Sequence, residues 1–252
     1  MSRYIKNLNR IEFVITYSCT GQCKHCSEGD HDSNGIYIDG DTAVELVEKV
    51  AKNYKIESIM TFGGEPLLHP DVVCKIHAAA RDMGIPKRQL ITNGFFSHDT
   101  KTIQNAAHML VENGVNDILL SVDAFHQETI PLEPVITFAK AVFEADKTII
   151  RVHPAWLVSE TADNPYNSRT KEILAMFQDL GIAVSDGNVI FPSGNALKYL
   201  KEYFDQDVSY INPYDEDPED IRTISISPNG DVLGDNIYKT DIIEILENYR
   251  SV

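Results

Sequence analysis

Three of the four cysteines fall close together, in the run Cys19-Thr20-Gly21-Gln22-Cys23-Lys24-His25-Cys26. Thiols clustered in this way are unlike a disulfide framework and suit metal binding in a reducing compartment. Two metal chemistries are open to them. Zinc would take the three thiolates and complete a tetrahedron with His25, His31 or Cys74. An iron–sulfur cube needs a ligand on each iron, so three cysteines with no fourth nearby would leave one iron open to a substrate or cofactor.

Such a loop has to be held by a rigid frame. Short apolar runs at Phe13-Val14-Ile15, Ile59-Met60-Thr61-Phe62, Leu90-Ile91-Thr92, Ile118-Leu119-Leu120, Ile149-Ile150-Arg151-Val152 and Val189-Ile190-Phe191 read as parallel strands buried on both faces. Helical stripes lie between them: Ala43, Leu46, Val47 and Val50; Ile103, Ala106, Ala107, Leu110 and Val111; Val135, Phe138, Ala139 and Val142; Ile173, Leu174, Phe177 and Leu180. Six β-then-α units with right-handed crossovers predict an α/β fold, a partial (β/α)6 barrel related to the TIM barrel, with a flat doubly wound sheet as the alternative. A barrel keeps its chemistry at the C-terminal ends of its strands, where the cysteine loop follows the first strand, and its interior is expected to be dry.

The pattern changes beyond about Gly194. Ile224-Ser225-Ile226 and Val232-Leu233 flank Pro228-Asn229-Gly230-Asp231 and read as a β-hairpin turning at Asn229-Gly230. The expected division is therefore a barrel core over 1–195 and a small C-terminal α/β extension over 196–252. Tyr214-Asp215-Glu216-Asp217-Pro218-Glu219-Asp220 reads as a solvated acidic loop.

The spacing C-x3-C-x2-C resembles the cluster-binding loop of the radical S-adenosylmethionine (radical SAM) superfamily. Gly63-Gly64-Glu65-Pro66 after the second strand, Thr92-Asn93-Gly94 after the third and Ser121-Val122-Asp123 after the fourth match that family's motifs in order and location. The likeness covers roughly residues 11 to 195.

This resemblance implies one 4Fe-4S cluster held by Cys19, Cys23 and Cys26, with the methionyl amine and carboxylate of S-adenosylmethionine on the fourth iron. Reductive cleavage of that cofactor would yield a 5′-deoxyadenosyl radical that takes hydrogen from a peptide or small-metabolite substrate. A flavodoxin- or ferredoxin-type electron donor is implied as well. Gly63 and Gly64 lack side chains, so a ligand can approach the backbone there, and Glu65 offers a charged acceptor for the methionyl ammonium. Ser121 and Asp123 point to one side, toward the adenosyl ribose or the substrate, and Asn93 is a further cofactor or substrate contact. Arg151, a charge inside an apolar strand, needs a partner, either a cofactor carboxylate or a protein carboxylate. His126 and His153 are candidate proton donors or acceptors, with Asp123 and His126 as the catalytic pair. Cys74 lies on a helix whose apolar face is Val73, Ile76, Ala80 and Met83, and it reads as a structural thiol.

No cysteine follows Cys74, so the C-terminal segment resembles a shortened SPASM/twitch extension without an auxiliary cluster. The residues before the first strand are too few for a leader-peptide-binding domain. Pro192-Ser193-Gly194-Asn195-Ala196 resembles a family segment in which arginine often stands where this chain has Asn195, and it is assigned no role. Two other functions compete: activation of a glycyl-radical enzyme, and a non-catalytic zinc-binding interaction module.

Composition bounds these readings. The chain has 252 residues, 43% hydrophobic and 24% charged, enough for a substantial core. A formal net charge of −16 repels polyphosphate and anionic lipid, which argues against nucleic-acid and membrane-surface partners. With no signal peptide or membrane-spanning run, a cytoplasmic location is expected.

Overall fold

The computed structural model describes residues 2–31, 35–205, 210, 212 and 215–251. Its elements run β1 (Arg10–Val14), α1 (Gly40–Asn53), β2 (Ser58–Phe62), α2 (Pro70–Asp82), β3 (Lys87–Thr92), α3 (Thr100–Glu112), β4 (Asp117–Leu120), α4 (Ala124–Gln127), α5 (Leu132–Glu144) and β5 (Ile149–Val152). They continue through β6 (Ala155–Trp156), α6 (Pro165–Gln178), β7 (Ala183–Val184), β8 (Asn188–Val189), α7 (Gly194–Tyr199), β9 (Thr223–Ile226), β10 (Asp231–Val232), β11 (Asp235–Asn236) and α8 (Ile242–Asn248). Seven strands form one parallel sheet in the order β7-β5-β4-β3-β2-β1-β9. This is the partial TIM-like barrel that the alternating pattern predicts, and it brings the loops after successive strands to one rim.

The marked stripes are buried in α1, α3, α5 and α6, save half-buried Val111 and Leu180, the latter lying beyond the end of α6. In α1, Asp39 caps the first turn by accepting from the Thr42 amide at 2.8 Å, and Ala43, Leu46, Val47 and Val50 face the sheet. Asp99 does the same for α3 through Thr102, and Asn164 for α6 through Asn167. No helix among the described residues is long and apolar enough to cross a membrane.

Three expectations need correction. The sixth strand of the sheet is Ala183–Val184, which pairs with β5, and not Val189-Ile190-Phe191. Val189 lies instead in β8, pairs with β6 in a separate two-stranded sheet, and is 54% exposed. The run is apolar because part of it lines a cavity, not because it is a core strand. The C-terminal hairpin is also different: Ile224 and Ile226 pair in parallel with Ile11 and Phe13 of β1, satisfying the edge that β1 would otherwise leave open. A tight turn does follow, with the Gly230 amide donating to the Ser227 carbonyl at 2.9 Å, but the ladder after it joins β10 to β11. The C-terminal segment thus shares the main core, α8 adding Ile242, Ile245 and Leu246 to it, and a division at residue 195 falls inside α7.

The third correction concerns the inner face of the sheet. Ile11, Phe13, Ile59, Leu90, Ile118 and Val152 are buried beneath the helices, while the alternate residues on the other face mix apolar Met60, Phe62, Ile91 and Leu119 with polar Arg10, Glu12, Gln89, Asp117 and Arg151. Arg10 Nε donates to Glu12 at 2.6 Å, Gln89 Nε2 to Asp117 at 2.8 Å and Arg151 Nη2 to Asp117 at 2.6 Å. Gln89 and Asp117 are buried there, and it is this mutual pairing that makes the charges tolerable.

On the opposite face, His77 of α2 is fully buried against Thr61, Nε2 to Oγ1 2.9 Å, and its Nδ1 has no hydrogen-bond partner. Burial, helped by Arg88, pulls its imidazole from 6.5 down to about 3. The folded protein therefore binds this proton more weakly than the unfolded chain. Its contribution is intact above pH 6.5 and is lost as pH falls toward 3. At pH 5 the loss is about 2 kcal/mol. Denaturant titrations at pH 7 and pH 5 are expected to show this drop, and His77→Leu to flatten it.

Candidate active site

The cysteine loop leaves β1 at its C-terminal end and is tied down along its length. The Gly64 amide donates to the Thr16 carbonyl at 2.8 Å and the Glu65 amide to the Ser18 carbonyl at 2.8 Å. Thr20 Oγ1 donates to the Phe95 carbonyl at 2.6 Å, and Asn93 Nδ2 reaches Cys19 Sγ at 3.6 Å. Cys19, Cys23 and Cys26 all line one cavity of about 260 Å³, together with residues from the ends of β2, β3, β4 and β5. Burial is the main cause that pushes these thiols up: Cys19 to about 12, and Cys23 and Cys26 also above their ordinary value. Neighbouring thiols and Asp123 or Glu65 add to the shift at Cys19 and Cys23. Three such groups in one cavity repel one another as thiolates, and a bound cation would relieve that repulsion.

The strand-end residues divide into those that face the cavity and those that hold it. Gly63 and Gly64 line it, but the space left by their missing side chains is filled by the chain itself. A Cβ on Gly63 would stand 2.6 Å from the Thr16 carbonyl oxygen, and one on Gly64 would collide with the Ser18 carbonyl. The glycines let the cysteine loop cross β2 closely, a packing reason for their bareness beside the ligand approach expected of them. Glu65 is fully buried and turned inward: Oε1 accepts from the Leu67 amide at 2.8 Å and Thr92 Oγ1 at 2.7 Å, and Oε2 from the Asn93 amide at 2.9 Å. It clamps the β2 and β3 loops together. Burial raises its carboxyl to about 7, against the pull of those hydrogen bonds.

Asn93 and Ser121 face the cavity, Ser121 anchored by its amide to the Thr92 carbonyl at 2.8 Å. Asp123 is fully buried and has four partners: the Phe125 and His126 amides on Oδ1, and the Ala155 amide and His126 Nδ1, both on Oδ2, the last at 2.9 Å. Burial alone would raise its carboxyl, but His126, His25 and these donors outweigh that and hold it well below the usual range. Asp123 thus fixes the His126 ring beside the cavity. Asp123→Ala, leaving buried donors unpaired, is expected to cost about 3 kcal/mol of stability by chemical denaturation.

Arg151 is not among the residues lining the cavity; of the two partners expected for it, the structure shows the protein carboxylate, Asp117 on the inner face, and not a place against the cofactor. His153 does line the cavity, bonded through Nδ1 to Ser185 Oγ at 2.8 Å, and burial lowers its imidazole. Cys74 is buried on α2 away from the three thiols. The cavity also holds His25, whose ring packs 5.0 Å from Phe125 and 4.7 Å from His126, and which burial holds neutral down to about 4. Cys23, His25 and His126 offer donor atoms within 4.8 Å of one another, so a single divalent cation would compete for Cys23.

A family model described as the Radical SAM superfamily matches residues 13–196. The chain belongs to that superfamily. Among curated relatives, a "Probable GTP 3',8-cyclase" of Saccharolobus islandicus is 28% identical over 220 residues, covering 82% of this chain and 68% of that one. The similarly named protein of Methanocaldococcus jannaschii is 25% identical over 186 residues, or 71% and 58%. Of solved structures, Streptococcus suis SuiB bound to S-adenosylmethionine superposes with a TM-score of 0.61 at 11% identity, covering 98% of this chain and 67% of SuiB. The enzyme anSMEcpe with bound AdoMet gives 0.62 at 13%, covering 97% and 81%. These structures share the fold.

As a radical SAM protein the chain is an enzyme whose cofactors are a 4Fe-4S cluster and S-adenosylmethionine. Its donor set fits the cluster: three thiols on one cavity, with the remaining cysteine elsewhere. One brace escaped sequence reasoning. Asn195 donates its amide to the Cys26 carbonyl at 2.9 Å and its side-chain Nδ2 to the Cys23 and Gly29 carbonyls, both at 3.2 Å. Gly194, at φ +47°, lies so close that a Cβ would strike the Ser27 and Cys26 carbonyls. Only the small-polar composition of Ser193-Gly194-Asn195 hinted at a helix start there.

Proposed function

We propose that Cys19, Cys23 and Cys26 hold the 4Fe-4S cluster and that the strand ends of β2 to β4 receive S-adenosylmethionine beside it. The observation that carries this reading is the convergence of three thiols from one loop on a cavity bordered by Gly63, Gly64, Asn93 and Ser121. When bound, these cofactors supply reductive carbon–sulfur cleavage and a 5′-deoxyadenosyl radical able to remove hydrogen from an unactivated C–H bond. The protein's own work is orientation and exclusion. Backbone carbonyls at Gly63 and Gly64 are acceptors for the methionyl ammonium, and the Ser121 hydroxyl for the ribose. Asn93, already bonded to the cysteine loop, would hold that loop against the end of β3. His126, held by Asp123, is the proposed proton acceptor or donor on the cavity wall.

Candidate substrates are a peptide, a small metabolite or, by the names of the sequence relatives, a nucleoside triphosphate. Peptide substrates are suggested by the folds of SuiB bound to its precursor peptide and of anSMEcpe bound to a peptide. A flavodoxin- or ferredoxin-type protein is the proposed electron source. Anaerobic reconstitution with iron and sulfide, followed by dithionite and S-adenosylmethionine, is expected to release 5′-deoxyadenosine. An intact cluster that forms none would defeat the reading.

A further inference from the structure

The candidate substrates differ most in charge, and the cavity has a definite charge character. Among the described residues its lining contains no lysine or arginine; its titratable groups are the three thiols, four histidines, Glu28 and Asp123. None of the residues outside the description is a lysine or arginine either. Cations on the neighbouring elements are paired: Lys24 with Glu128 at 3.0 Å, Lys198 with Asp30 at 3.2 Å, and Arg151 with Asp117 at 2.6 Å.

The helix N-termini beside the cavity do not replace them. Phosphates without a basic side chain are commonly held at a helix N-terminus. The amides of Phe125 and His126, which open α4 beside the cavity, are spent on Asp123 Oδ1 at 2.9 and 3.0 Å. A protein carboxylate thus occupies the place a phosphate would need. The Asn195 amide, at the start of α7, is likewise spent on the Cys26 carbonyl. Around this cavity the whole chain carries −16, and a polyanion would pay repulsion both on approach and in the site.

We propose that this site rejects nucleoside triphosphates and recognises a substrate through neutral or cationic groups, an ammonium or guanidinium above all. The inference rests on the radical SAM reading above. Asp123, capped by its four donors, is not free to receive the cation; Glu28, on the rim of the cavity, is. A basic peptide side chain and a small amine present the same chemistry, and the experiment separates them.

Equilibrium dialysis of the reconstituted holoenzyme, with S-adenosylmethionine present, would use four probes: GTP with magnesium, a pentapeptide pool with central lysine, the same pool with central glutamate, and the aminocyclitol streptamine. Retention of the lysine pool or of streptamine at least about tenfold above the glutamate pool is expected, with no saturable GTP binding. Which of the two is retained identifies the source of the cation. Glu28→Lys is expected to weaken that retention about threefold. Saturable GTP binding, or equal retention of all probes including none, would overturn the proposal. Release of 5′-deoxyadenosine by the same preparation reports separately on the reading beneath it: cleavage with GTP bound sinks only the substrate class, whereas an intact cluster without cleavage sinks the function.

Discussion

Cys23→Ala is expected to lose nearly all cluster iron and sulfide after anaerobic reconstitution, and to form no 5′-deoxyadenosine above the protein-free control. Cys23 is the most buried of the three thiols and stands between the other two along the loop. Replacing it leaves a cluster with two protein ligands and a second exposed iron, which hydrolyses or sheds metal. The loop itself should survive, because its ties run through backbone groups of Thr16, Ser18 and Cys26 and through Thr20, none of which needs the thiol. Circular dichroism and denaturant midpoints close to those of the unsubstituted protein, with iron lost, are the expected combination. Cys74→Ala is the matched control: it removes a buried thiol from α2 and is expected to leave iron content unchanged.

Gly64→Ala is expected to do comparable damage without touching a ligand. An added Cβ would meet the carbonyl oxygen and carbon of Ser18 and the carbonyl of Tyr17, all of them backbone, so no rotamer change relieves the overlap. Either β2 or the start of the cysteine loop must move. The loop is the softer of the two, and moving it carries Cys19 away from Asn93. A destabilisation of about 3 kcal/mol is expected, at the upper end for overpacking by one methyl, with cluster occupancy lowered more than tenfold. Denaturant unfolding and iron analysis on the same sample check both halves. Gly84→Ala, at a turn where nothing lies within 4 Å, bears only the cost of its φ of +76° and is expected to keep its iron.

The features legible in the sequence are those written locally. Cys19, Cys23 and Cys26 are near neighbours in the chain, and the helical stripes repeat within single elements, so spacing alone located the loop, the helices and the barrel. Features made by distant segments were not legible. Asn195 meets Cys23 across 172 residues, and its role depends on α7 returning to the rim. Ile224-Ser225-Ile226 looks the same whether it pairs with the next strand or with β1, and the open edge of β1 decides the matter. Arg151 was marked as a charge that needs a partner, while Glu65 and Asp123 were read as facing the cofactor; all three have protein groups as partners, which short polar motifs do not reveal. The alternation of Arg10 and Glu12 with Ile11 and Phe13 did carry the signal of a one-sided buried strand; the run was read as continuously apolar because it was begun at Phe13.

The central claim is that the three thiols hold a cluster with one iron left for S-adenosylmethionine, and Mössbauer spectroscopy of the iron-reconstituted protein addresses it most directly. Addition of S-adenosylmethionine should change the isomer shift of one iron in four and leave the other three as they were. A spectrum indifferent to S-adenosylmethionine, or a preparation that holds zinc in place of iron on Cys23, His25 and His126, would contradict it.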